Sequence, residues 1–209
     1  MAGIIEQTLQ ETLQETDQQE IKHYFDSAKL FLKTFVDERF KSLSIRSDEM
    51  HSINLFKKVV NLSEIYLARY NTIDIVPLYY VQAAYNIGSY EYEAKFRTMA
   101  LEYFEKILIY VENILKKINQ YLLTEDQQDI IIQILYYYVF AAIHSGDIDK
   151  DFTFKKDEHK FVYIEYYKKA INKFDLLIQN GYPEDMRFPN DTKSIEKIRS
   201  EVDQHEQML

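Results

Sequence analysis

The chain has 209 residues, no cysteine, 4 glycines, 3 prolines and a formal charge of −9. This composition excludes a disulfide framework, a thiolate metal site and a cysteine nucleophile, and it disfavours all-β folds built on many tight turns. The negative charge opposes binding to a phosphate backbone unless basic residues cluster locally, and the two most basic short windows, Lys155-Lys156 and Lys193 to Arg199, both have acidic flanks.

Residues 4–16 contain the four-residue repeat Thr8 to Thr16, which lines Leu9 and Leu13 along one helix edge and predicts a variable N-terminal helix. Asp17 and Glu20 then signal a helix start. From there Ile21, Phe25, Ala28, Leu32, Phe35 and Val36 recur at helical spacing, to about Leu43. After Ser44 to Ser47, the acidic pair Asp48-Glu49 opens a second helix whose face is Ile53, Phe56, Val59 or Val60, Ser63, Leu67 and Tyr70. It is predicted to end near Asn71-Thr72.

Pro77 suits a first helical turn, and Leu78 to Ile87 follow it until Gly88-Ser89, where a break or kink is predicted. Phe104, Leu108, Val111, Leu115, Ile118 and Leu122 then mark a long amphipathic helix. Next comes Ile130 to Ile143, fourteen residues that are apolar or aromatic on nearly every side. A helix of that kind belongs at the centre of a fold, and the run is shorter than the roughly 20 residues a bilayer requires. Thr124-Glu125-Asp126-Gln127 has the capping-box form that favours helix over a buried strand. The helix is predicted to end at Ser145-Gly146-Asp147, with a charged loop over Asp149 to Lys160. The last long helix spans Phe161 to Asn180, stopped by Gly181 and Pro183. A polar capping helix over about Thr192 to Gln207 closes the chain.

Two segments repeat one design. Ala83 to Tyr90 aligns with Ala141 to Ile148, and Leu101 to Leu108 with Ile164 to Ile171. Ala84, Gly88, Ala100, Phe104 and Ile107 in one unit, and Ala142, Gly146, Tyr167 and Ala170 in the other, resemble the tetratricopeptide repeat. In that family small residues let the two helices of a hairpin approach while an aromatic fills the gap beyond. The resemblance covers residues 77–122 and 125–180. The family's opening tryptophan is missing, and Gly88 and Gly146 are 58 residues apart against a family period of about 34.

The expected architecture is all-α, with antiparallel helical hairpins stacked as a tetratricopeptide-like array or right-handed superhelix. Residues 1–16 form the variable helix and 17–209 a single repeat-like domain. The resemblance implies an inner groove lined by Gln82, Tyr85 and Asn86 of one unit and Tyr136, Phe140 and His144 of the other. Lysine and arginine are missing at these positions, so the groove is expected to be aromatic and uncharged rather than a carboxylate clamp. The same tyrosines equally suit packing between hairpins.

The chain lacks a serine elbow, a glycine-rich phosphate loop and a zincin motif. The expected function is therefore a non-catalytic scaffold that binds a protein or peptide, without cofactor, nucleic acid or membrane, and with homo-oligomerisation open. The start of the sequence shows no secretory signal, so a cytoplasmic location is expected. Two alternatives stand beside it. One is a helical-bundle metalloenzyme using the pairs Glu20–His23 and Asp48–His51, which have the three-residue spacing of di-metal bundles. The other is a structural protein that self-assembles through residues 4–16.

Overall fold

The computed structural model describes residues 2–38, 45–70, 73–118, 123–156, 162–179 and 192–207. Among them there are seven helices and no strand: α1 (Ala2–Glu38), α2 (Ile45–Arg69), α3 (Val76–Glu93), α4 (Arg97–Ile118), α5 (Glu125–Lys156), α6 (Val162–Gln179) and α7 (Thr192–Gln207). The all-α expectation holds. The chain divides into two compact units, Met1–Tyr90 and Glu91–Leu209, and the division falls within α3.

In the first unit α1 and α2 form an antiparallel pair. Gln14 and Gln18 meet Tyr66, whereas Ala28, further along α1, accepts a hydrogen bond from Ser52 Oγ near the start of α2 (2.9 Å). Much of the predicted apolar faces is buried: Ile21, Phe25 and Ala28 on α1, and Ile53, Phe56, Val59 and Val60 on α2 with Tyr70 just after it, whereas Leu67 is half-buried and the side chains of Leu32, Phe35 and Val36 lie outside the described residues. Phe25 and Phe56 meet edge to face at 6.0 Å, and burying each such side chain contributes about 1.5–3 kcal/mol. The N-terminal repeat does not form a separate helix. Asp17 lies inside α1, where its carboxylate accepts hydrogen bonds from Arg69 (3.0 Å) and the Tyr70 hydroxyl (3.1 Å). A residue type that favours helix starts is thus used to tie two helices together.

Asp74 starts α3 by accepting a hydrogen bond from the Val76 amide (2.8 Å), with Pro77 in the first turn as predicted. The predicted break at Gly88-Ser89 is absent, and α3 continues to Glu93. A glycine costs a helix only about 1 kcal/mol, which the burial of neighbouring Ala83, Ala84 and Ile87 outweighs. The helix ends instead at Lys95, whose φ of 69° is left-handed. There the Phe96 amide donates to Glu91 O (2.8 Å) and the Lys95 amide to Tyr92 O (3.1 Å), the Schellman pattern without its usual glycine.

In the second unit α5 packs against both α4 and α6. Its N-terminus carries the predicted reciprocal cap: the Gln127 amide donates to Thr124 Oγ1 (3.3 Å) and the Thr124 amide to Gln127 Oε1 (3.1 Å). Most of its central run is buried, including Ile134, Tyr138, Val139, Ala141 and Ala142. Both neighbours run antiparallel to it. Glu112 and Phe104 of α4 meet Tyr138 and His144 in reverse order, and Tyr163 and Tyr167 of α6 meet Lys150 and Asp147.

The C-terminal half of α5 departs from expectation. No break occurs at Ser145 to Asp147, and the helix runs through the predicted loop to Lys156, with 157–160 outside the described residues. Ser145 and Ile148 are fully buried, and the charges that hide the apolar period find partners: Tyr167 donates to Asp147 (2.7 Å) and Lys150 to Glu201 of α7 (2.5 Å). Among the described residues α5 is the one helix long and apolar enough to cross a membrane, over Glu125–Phe152, and 61% of its apolar window is buried inside the protein. The fourteen-residue run is therefore the middle of a longer helix. α7 packs antiparallel on α6 through Ile195, Ile198 and Val202, with Arg199 paired to Asp175 and Lys168 to Glu206 (3.0 Å). The stop at Gly181-Pro183 and the position Leu122 lie outside the described residues.

Candidate partner-binding surfaces

Gln82, Tyr85 and Asn86 lie on α3 in the first unit, each half-buried. The Asn86 amide donates to Gln82 O one turn earlier (2.8 Å), so part of its hydrogen-bonding capacity serves its own helix. Tyr136, Phe140 and His144 lie on α5 in the second unit. The Tyr136 ring packs edge-on to Phe140 (4.9 Å) and to Tyr137 (5.4 Å). Tyr136 and Tyr137 are half-buried and Gln133 is exposed, whereas Phe140 is buried. His144, one turn beyond Phe140, stacks on Phe104 at 5.2 Å and 22° and lies 5.2 Å from Tyr92, which is covered in turn by the Arg97 guanidinium at 3.8 Å. The imidazole thus belongs to an aromatic stack within the second unit. Beside Tyr136, half-buried Tyr137 and exposed Gln133, which were not among the predicted groove residues, complete a stripe on α5.

The paired carboxylate–histidine motifs do not converge. Lys58 of α2 lies 3.6 Å from the ring of Tyr24, the neighbour of His23, whereas Ser52, the neighbour of His51, meets Ala28. The antiparallel register therefore separates the two histidines by about two helical turns. Both are exposed, and no group of three or more histidine, aspartate or glutamate residues within reach of one ion occurs among the described residues.

Carboxylates in both units accept hydrogen bonds from tyrosines across helix contacts. Tyr66 donates to Asp74 (2.5 Å) and accepts from Gln14 (2.9 Å) and Gln18 (2.7 Å). Burial, and then the Asp74 hydrogen bond, push its phenol up to about 12. Tyr138 donates to Glu112 (2.8 Å), Tyr166 to Glu105 (2.5 Å) and Tyr167 to Asp147 (2.7 Å), and all three phenols are raised, first by burial and then by these carboxylates. Burial also raises the Asp147 carboxyl above its ordinary range, against the Tyr167 hydrogen bond that lowers it. Through these hydrogen bonds the tyrosines tie their helices to neighbouring segments.

A cleft of about 380 Å³ opens between α4 and α6, with Tyr138 of α5 at its floor. Lys116 of α4 and Lys169 and Lys173 of α6 line it. Lys169 pairs with Glu112 (2.9 Å). Burial alone would raise the Glu112 carboxyl, but hydrogen bonds from Lys169 and Tyr138, with the charges of Lys169 and Lys116, outweigh it and lower its pKa. The sequence shows no basic patch because these lysines are separated by up to 57 positions and only the fold gathers them. The one local signal is the four-residue spacing of Lys169 and Lys173 on a helix.

Comparison of the chain with protein-family models, with curated proteins and with solved structures finds no match.

Proposed function

We propose that the chain is a non-catalytic, tetratricopeptide-like helical scaffold that binds a protein or peptide partner. The observation that carries this reading is the aromatic stripe on α5. Tyr136 makes ring contacts with both Tyr137 and Phe140, yet the two tyrosines stay half-accessible beside exposed Gln133. Preordered tyrosines offer a large contact area at low entropic cost, and their hydroxyls can bond to a peptide main chain. On α3, Gln82, Tyr85 and Asn86 supply a similar half-buried polar and aromatic surface.

The test is cross-linking and affinity capture with the wild-type chain beside a Tyr136→Ala/Tyr137→Ala variant shown to be folded by circular dichroism. A partner retained by the wild type and lost by the variant supports the stripe. Equal retention overturns it as the binding surface, and capture of nothing by either protein counts against the scaffold reading.

A further inference from the structure

We propose that the cleft between α4 and α6 binds an acidic peptide segment in extended form. The cleft concentrates positive charge in a chain whose formal charge is −9: three lysines face a single glutamate. That glutamate is already committed. Glu112 Oε1 accepts from Lys169 Nζ at 2.9 Å and from the Tyr138 hydroxyl at 2.8 Å, which keeps Glu112 ionised and fixes Lys169 on the rim. Lys116 reaches Glu112 only through space, and Lys173 has no hydrogen bond or ion pair among the described residues. One glutamate cannot balance three ammonium groups, so the cleft retains a positive field.

The shape favours a peptide over a bare anion. Half-buried Leu115 and exposed Asn172 lie among the lysines, offering an apolar contact and an amide able to pair with a main chain. Lys169 and Lys173 are one helical turn apart, about 6 Å along α6. Alternate side chains of an extended strand repeat at about 6.8 Å on one side. An acidic residue at every second position therefore matches both ammonium groups, with Lys116 facing them from α4.

The proposal shares with the scaffold reading only the premise that the ligand is a peptide, and it uses none of the stripe residues. The probe is a fluorescein-labelled peptide alternating glutamate and serine, titrated by fluorescence anisotropy, with a glutamine–serine peptide as control. Wild type and the Tyr136→Ala/Tyr137→Ala variant should bind the acidic peptide alike. A Lys116→Glu/Lys173→Glu variant, folded by circular dichroism, should bind at least about tenfold more weakly, and added salt should weaken the wild-type interaction. Lys169 is left intact to preserve the Glu112 pair. Equal binding by the charge variant, equal binding of the control peptide, or no binding at millimolar protein overturns the proposal. So does inorganic phosphate that binds where the peptide does not, or charge-dependent self-association in place of peptide binding. Loss of the acidic peptide in the stripe variant alone would overturn the cleft and leave the scaffold reading standing.

Discussion

The ring of Tyr167 occupies the space that a side chain on Gly146 would need. A Cβ built on Gly146 would lie 2.6 Å from Tyr167 Cδ1 and closer still to Cε1, with Tyr163 O at 3.3 Å. Gly146 lies in the interior of α5, where alanine would be favoured by about 1 kcal/mol on helix propensity. The glycine is explained by the crossing: its missing Cβ lets α6 approach, and the same tyrosine then places its hydroxyl 2.7 Å from Asp147.

Gly146→Ala is therefore expected to destabilise the protein by about 1–3 kcal/mol despite its better propensity, because overpacking must displace a buried ring. In a Tyr167→Ala background the same substitution should become neutral or stabilising by up to about 1 kcal/mol. Urea unfolding of the four proteins measures the coupling. An equal penalty in both backgrounds would show that the ring is not the cause.

A second prediction concerns alkaline pH. The Tyr66 phenol titrates near 10 in an unfolded chain and is pushed up to about 12 in the fold. Between those values the unfolded state releases the proton first. The stability from this group is thus complete below about pH 10 and is lost as pH rises towards 12. Tyr66→Phe should cost about 1–3 kcal/mol at neutral pH, since Asp74, Gln14 and Gln18 lose their shared hydroxyl. It should also make the fall in stability above pH 10 shallower. Some slope should persist, because Tyr80, Tyr138, Tyr166 and Tyr167 are raised as well. Urea midpoints between pH 8 and 11 decide the matter, and parallel curves for the two proteins would refute the role given to Tyr66.

How much of this was legible in the sequence follows from the range of each interaction. The Thr124–Gln127 cap, the buried Ile53 and Phe56 of α2 and the buried Phe104, Leu108 and Val111 of α4 depend on residues three or four apart, so spacing alone revealed them. The continuation of α3 through Gly88 goes with the burial of Ala83, Ala84 and Ile87, and that of α5 through Gly146 with the approach of Tyr167 from α6. A local breaker signal lost to tertiary burial. The same reason hid the lysine cleft, whose lysines come from α4 and α6, and the stack that His144 makes with Phe104 and Tyr92. Asp17 shows the converse: its type suggested a helix start, whereas its partners, Arg69 and Tyr70, lie more than 50 positions away.

The end of α3 yields the last prediction. Lys95 adopts φ 69° so that the Phe96 and Lys95 amides can close on Glu91 O and Tyr92 O. In this conformation the lysine Cβ crowds its own backbone, a strain that glycine lacks and that glycine's greater freedom in the unfolded chain only partly offsets. Lys95 is exposed and its side chain makes no hydrogen bond or ion pair among the described residues, so it contributes little that glycine would forfeit. Lys95→Gly is expected to stabilise the protein by about 0.5–1 kcal/mol, and Lys95→Ala, which keeps the Cβ, to give none of that gain. Chemical denaturation of both variants checks this. A gain shared by alanine would assign the effect to removal of the lysine charge rather than to relief of the backbone.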